Sequence, residues 1–182
     1  MKSPRIAAGL TALSLTVNAH ALPAVGAAGP GGRVVDAEGR GLDLRGIKGK
    51  PTLLVYEDQE ATKQNVALKT QLAKLASGDK YRQAIALVAV ADVEGYDYWP
   101  ARGFVKSAIR SESKKLGNTI YVDWNGSVRK SAGFTKGKST VLLVGPDGKI
   151  MFSHEGTMAP PEREKLLALL RAQVEPEPTP AP

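Results

Sequence analysis

The sequence contains no cysteine. It can therefore form no disulfide, offer no thiolate nucleophile and bind no metal through sulfur. Histidine is almost as scarce, with His20 and His154 the only two. A zinc centre would have to be assembled from carboxylates and one imidazole, a poor match to the usual tetrahedral ligand sets, so no metal is expected. No loop spaces oxygen ligands as calcium requires, and no nucleophile-elbow pattern surrounds a serine to suggest Ser-His-Asp chemistry. His154 is expected to be an exposed strand residue. Aromatic residues number ten: five Tyr, three Phe and two Trp. Nothing after the first twenty-one residues is apolar enough to span a bilayer, which takes roughly 20 such residues, and no internal repeat is present.

The N-terminus reads as an export signal. Lys2 and Arg5 supply its positive end, Ile6 to Val17 its short apolar stretch, and Ala19-His20-Ala21 the small-x-small cleavage pattern. Residues 1–21 are thus expected to be removed, leaving a periplasmic or secreted chain with no transmembrane segment. The formal charge of +7 falls to +5 without Lys2 and Arg5. This surplus is scattered over predicted helix faces, where it aids solubility or draws the protein weakly to anionic envelope polymers. Nucleic acid is not an expected partner, because a concentrated basic face with a reading motif is missing.

With 182 residues, 42% of them hydrophobic, the chain is suited to a single domain with its own core. Residues 22–32, rich in Ala, Gly and Pro, are expected to be a flexible linker, and residues 174–182, alternating Glu and Thr with Pro, a disordered tail. The domain between them spans residues 33–173. Arg33-Val34-Val35-Asp36 and Leu42-Asp43-Leu44 flank a turn and predict a hairpin. Thr52 to Tyr56 is a continuous apolar run of the length expected for a strand buried on both faces. Val66, Leu68, Leu72 and Leu75 predict an amphipathic helix, followed by a second buried strand over Ile85 to Ala91. This strand-helix-strand order forces parallel pairing with a crossover. Phe104, Val105, Ala108, Ile109 and Leu116 predict one apolar helical stripe, Thr119 to Val122 a third strand, and Val141 to Val144 with Lys149 to Phe152 a hairpin about Gly145-Pro146-Asp147-Gly148. A last helix starts at Pro160-Pro161-Glu162.

This order, together with Gly49-Lys50-Pro51 before the first core strand, Ile120-Tyr121-Val122-Asp123 before Asn125-Gly126, Gly133-Phe134 and the Pro146-Asp147-Gly148 turn, resembles the thioredoxin-like superfamily in its peroxiredoxin and TlpA-type branch. Phe104 through Ser107, with the Asp-Gly hairpin, also resembles the YtfJ-type periplasmic proteins. The resemblance implies an α/β thioredoxin-like fold, a central mixed β-sheet flanked by helices with an N-terminal β-hairpin. Redox members carry their cysteines where the first core strand meets its helix, and those positions fall on Ala61 and Gln64. Their groove-shaping cis-proline falls on Ser139, where a trans peptide is expected because a non-proline cis bond costs about 2.5–4 kcal/mol. Thiol-disulfide and peroxidase activity are therefore excluded, and no cofactor is expected.

Three functional readings follow. In the first, the scaffold is a redox-inactive module whose strand-end loops bind a protein or an envelope component. Tyr96, Tyr98 and Trp99, with Trp124 after the third strand, would be the anchors, unless they fold back over the core. Tyr56, Glu57, Asp58, Asp92 and Asp123 lie at the same strand ends and complete the candidate site, Asp92 and Asp123 as a pocket rim. In the second reading, Glu57, Asp58, Glu60 and Asp92 split their pKa values and perform cysteine-independent catalysis, although acids at a helix start also simply complement its dipole. The third makes the chain a structural subunit of an envelope assembly.

Overall fold

The computed structural model describes residues 22–175. The signal peptide expected over residues 1–21 and all but the first two residues of the tail expected over 174–182 lie outside the described residues. Seven strands form one mixed sheet: β1 Arg33–Val35, β2 Gly41–Asp43, β3 Thr52–Glu57, β4 Ala86–Asp92, β5 Ile120–Asp123, β6 Thr140–Val144 and β7 Ile150–Glu155, in the spatial order β2-β1-β5-β4-β3-β6-β7. β3, β4 and β5 run parallel, while β6 pairs antiparallel with β3 and β7 with β6. β1 and β2 form the expected hairpin, which joins the sheet through Val35 opposite Val122. The helices are α1 Val66–Ala76, α2 Asp79–Ala84, α3 Ala101–Leu116, α4 Ser127–Ala132 and α5 Pro160–Val174. This is the thioredoxin-like α/β arrangement.

The apolar run of β3 is continuous because the strand is buried on both faces. Leu53 joins Leu68 and Leu72 of α1, Val141 and Leu143 of β6 and Leu166 of α5 in one core. Leu54 and Tyr56 point the other way, into a second core with Val88, Val90, Val128 and Phe134. Burying a leucine such as Leu68 or Leu72 stabilises the fold by about 1.5–3 kcal/mol, more than the intrinsic helix preference of any residue in α1. α3 ends at Gly117, whose φ of 61° makes the left-handed turn that terminates it. α5 begins with Pro160 and Pro161 in its first turn, where a missing N–H costs nothing.

Three features differ from the sequence expectations. The six-residue helices α2 and α4 were not foreseen, each being too short to display an apolar repeat. The predicted stripe of α3 does not enter the core: no residue of this helix is buried, Val105 and Ile109 are half-covered, and Phe104, Ala108 and Leu116 are exposed. Its sixteen residues extend about 24 Å, whereas the four of its neighbour β5 extend about 13 Å, so the helix outruns the strand. Finally, within residues 22–32, Gly26 N–H donates to Ile150 O, Ile150 N–H to Ala27 O and Gly29 N–H to Gly148 O. This segment therefore lies hydrogen-bonded along the start of the edge strand β7.

Candidate functional site

The junction of β3 with α1, where thiols would sit in redox relatives, is closed by a polar network. Ala61 lies in a short 3-10 turn spanning Ala61–Lys63 and is 0% exposed. Its N–H donates to Asp58 Oδ1 at 2.9 Å, and the other oxygen of that carboxylate accepts Gly137 N–H at 2.6 Å. Gln64 donates through Nε2 to Gly137 O at 2.9 Å and accepts Ser139 N–H on Oε1 at 3.1 Å. The side-chain amide thereby pairs with the backbone entering β6 much as a neighbouring strand would. Ser139 is fully buried and follows a trans peptide, as expected; among the described residues the sole cis bond is Trp99–Pro100.

Asn65 ties the same region to the start of α5. Its φ of 55° is the only left-handed value at a non-glycine position among the described residues, a conformation Asn adopts more readily than most residues. Nδ2 donates to Ser139 Oγ and Gly156 O at 3.1 and 2.9 Å, while Oδ1 accepts Met158 N–H at 2.7 Å. Ser139 Oγ in turn donates to Glu57 Oε1 at 2.7 Å, and Lys69 Nζ bonds Glu57 Oε2 at 2.8 Å. Glu57, Asp58 and Ser139 are thus engaged in holding four chain segments together.

The closure reaches beyond the missing sulfur. α1 starts only at Val66, so Ala61 lies outside the first turn, where a helix terminus stabilises an anion. We expect the thiol of Ala61→Cys to react at least tenfold more slowly with a small disulfide reagent in the native protein than in urea; equal rates would show that this junction opens. The added sulfur should destabilise the fold by about 1–3 kcal/mol, as overpacking does.

On the opposite face of the sheet, Tyr56 Oη donates to Asp123 Oδ2 at 3.0 Å. Asp123 also accepts Ser127 N–H on Oδ1 at 3.0 Å and Val128 N–H on Oδ2 at 2.8 Å, so this strand-end carboxylate caps α4 from three residues before its N-cap Gly126. Burial, then the negative charges of Asp123 and Asp92, push the Tyr56 hydroxyl far above its ordinary pKa and keep it a neutral donor. Asp92 accepts Glu94 N–H and, at 2.7 Å, Nε of Arg129, whose guanidinium also bonds Glu94. Glu94 is held below the usual carboxylate range by its bond to Lys130, against some desolvation, and by the charges of Arg129, Lys130 and Lys136. Asp92 and Asp123 were expected to rim a pocket. They are instead buried and committed to Arg129, Tyr56 and the start of α4.

The aromatic loop does the reverse. Trp99 is 91% and Tyr98 59% exposed, while Tyr96 is anchored through Oη to Gln59 Oε1 at 3.0 Å. These rings do not fold back over the core. Trp124 is half-covered, with the Arg102 guanidinium 4.7 Å from its ring centre and Arg102 also paired with Asp97. His154 is half-buried rather than exposed: its ring stacks on Phe152 and its Nε2 is buried without a partner among the described residues. The structure therefore separates the predicted site residues, with Tyr56, Asp92 and Asp123 inside one face, Glu57 and Asp58 in the network on the other, Tyr96, Tyr98 and Trp99 exposed, and Trp124 half-covered. Sequence reading missed Asn65, Gln64 as a backbone clamp, Arg129 and Glu94. Asn just before a helical repeat is a capping signal that could have marked Asn65, whereas Arg129 meets Asp92 across 37 positions and leaves no local trace.

Cavities of about 300 and 270 Å³ lie elsewhere, beside the Asp36–Arg40 turn and beneath Gly29 and Ile47. Among the described residues no three or more His, Asp or Glu side chains converge as a metal-holding group.

Solved structures share this fold at low identity. The exposed lipoprotein thioredoxin Etrx1 of Streptococcus pneumoniae strain TIGR4 is 17% identical over 78% of this chain and 98% of its own, with a TM-score of 0.55. The thioredoxin domain of a thiol-disulfide oxidoreductase from Bacteroides vulgatus is 17% identical over 80% and 96%, with a TM-score of 0.58. A thiol peroxidase from Chromobacterium violaceum is 14% identical over 83% and 88%, with a TM-score of 0.59. No curated protein matches the sequence. The family model described as a bacterial protein of unknown function (YtfJ_HI0045) matches residues 55–173, from inside β3 to the end of α5, and the chain belongs to that family.

Proposed function

We propose that this cysteine-free thioredoxin-like domain is a binding module of the cell envelope, with the strand-end loop Tyr96–Pro100 as its contact surface. One observation carries the reading: at the end of the sheet where relatives of this fold do their chemistry, the carboxylates of Glu57, Asp58, Asp92 and Asp123 are all held by hydrogen bonds from within the fold while Tyr98 and Trp99 stand in solvent. Exposed aromatic residues of this kind are the commonest anchors of protein interfaces. The export signal read at residues 1–21 supports an extracytoplasmic location, and the lipoprotein thioredoxin of similar fold accords with it.

The carboxylates do not favour catalysis. Glu57 and Asp58 each accept hydrogen bonds on both oxygens, leaving neither poised as a general base. The expected result for Trp99→Ala is a stability change within about 0.5 kcal/mol, as for most surface substitutions, with binding through this surface reduced roughly tenfold. Urea denaturation and capture from native envelope by a photo-crosslinker at position 98 measure the two. Failure of the variant to fold, or undiminished capture, would overturn the assignment.

A further inference from the structure

α3 combines an unburied surface with a one-sided charge. Over Ala101–Leu116 it carries Arg102, Lys106, Arg110, Lys114 and Lys115 against one acid, Glu112. Its outer surface is ordered in columns: Arg110 and Lys114, one turn apart, form one, Phe104 and Ala108 another, and the serines at positions 107 and 111 lie between. All of these residues are exposed, Phe104 to 72%. Tyr98 and Trp99 precede Pro100, the N-cap of the helix.

Resting on the contact-surface reading above, we propose that its occupant is an anionic lipid bilayer, with the side chains of Trp99 and Phe104 in the interfacial layer and those of Arg110, Lys114 and Lys115 among the headgroup phosphates. Charge is the first argument. Arg102, Arg110 and Lys115 are paired with Asp97, Glu38 and Glu112, but these pairs are solvent-exposed and hold little energy, so they can exchange for phosphate. The exposed Lys114 forms no ion pair among the described residues, and each basic residue near an anionic surface strengthens binding about fivefold.

Geometry is the second argument. Phe104 and Lys115, both exposed, lie on one side of α3 eleven positions apart, or about 16 Å along its axis, with the exposed Ala108 and Ser111 between them. A protein interface concentrates its anchors in a compact, desolvated centre. A plane of headgroups accepts such an extended row, and Trp and Tyr favour that layer because their rings are apolar with one polar edge. Association would be peripheral, since no helix among the described residues is long and apolar enough to cross a membrane.

The test uses the processed chain from Leu22, which contains every element of the described fold, and sedimentation with vesicles of phosphatidylcholine alone or mixed equally with phosphatidylglycerol. Binding to the mixed vesicles is expected to exceed that to phosphatidylcholine at least tenfold and to fall with added salt. Trp99→Ala should weaken it about tenfold, and Lys114→Glu with Lys115→Glu at least twentyfold. Failure to sediment with the mixed vesicles, equal binding to both kinds, or undiminished binding by both variants overturns the bilayer as occupant. In that event a protein captured by the crosslinker at position 98, and lost in Trp99→Ala, would leave the contact surface standing with a protein on it. Absence of both would sink the surface as well.

Discussion

Asp123→Ala is expected to cost the fold roughly 2–4 kcal/mol, because it removes one buried carboxylate from four donors at once. The Tyr56 hydroxyl and the Val128 N–H lose their acceptor and the Ser127 hydroxyl its bond to Asp123, while the Ser127 N–H keeps Asn125 Oδ1 at 3.1 Å. The helix-cap loss alone is worth about 1 kcal/mol, and the buried tyrosine hydroxyl left without a partner adds about 1–3 kcal/mol. Urea denaturation with an unchanged m-value would report the difference as a shift in midpoint. A loss under about 1 kcal/mol would mean that water replaces the carboxylate and that Asp123 is not a linchpin of the sheet end.

Arg129→Met is expected to be comparably damaging, by about 3–5 kcal/mol, for an electrostatic reason. The Asp92 side chain is 2% and that of Arg129 14% exposed. Removing the cation leaves Asp92 charged in a site with little water to compensate it. Replacing both, as Arg129→Met with Asp92→Asn, should recover most of the loss, since what is costly is the orphaned charge. If the double variant is as unstable as the sum of the two singles, the pair acts independently and the explanation fails.

The core strands were readable because each satisfies one local rule: four apolar residues after Thr52, bounded by Gly49-Lys50-Pro51 and a polar stretch, leave few alternatives to a buried strand. The Asp-Gly turn at positions 147 and 148 likewise located the β6–β7 hairpin. α3 shows where the method stops. Its stripe of Phe104, Val105, Ala108, Ile109 and Leu116 is a genuine helical period, but periodicity reveals the existence of an apolar face and says nothing about the length of the strand available to cover it. The candidate site was partly legible for a similar reason. The exposed aromatic loop and the vacant thiol positions could be located along the chain. That Gln64 would clamp Gly137 and Ser139, or that Arg129 would meet Asp92, depends on tertiary pairing between positions tens of residues apart. The carboxylates at the strand ends looked alike in sequence, yet the fold assigns them to helix capping, ion pairing and backbone anchoring.

The bonds between residues 26–29 and the beginning of β7 bear on how copies of this protein meet one another. The outermost strand of an open sheet is a template on which a second chain can add, the usual route to edge-to-edge aggregation. Here residues 26–29 lie as a short guard rail over Gly148 to Ile150, so a second molecule is not expected to add at that end of the template. Cutting the chain after Pro30 would remove the guard, and self-association growing with concentration would then be the cost.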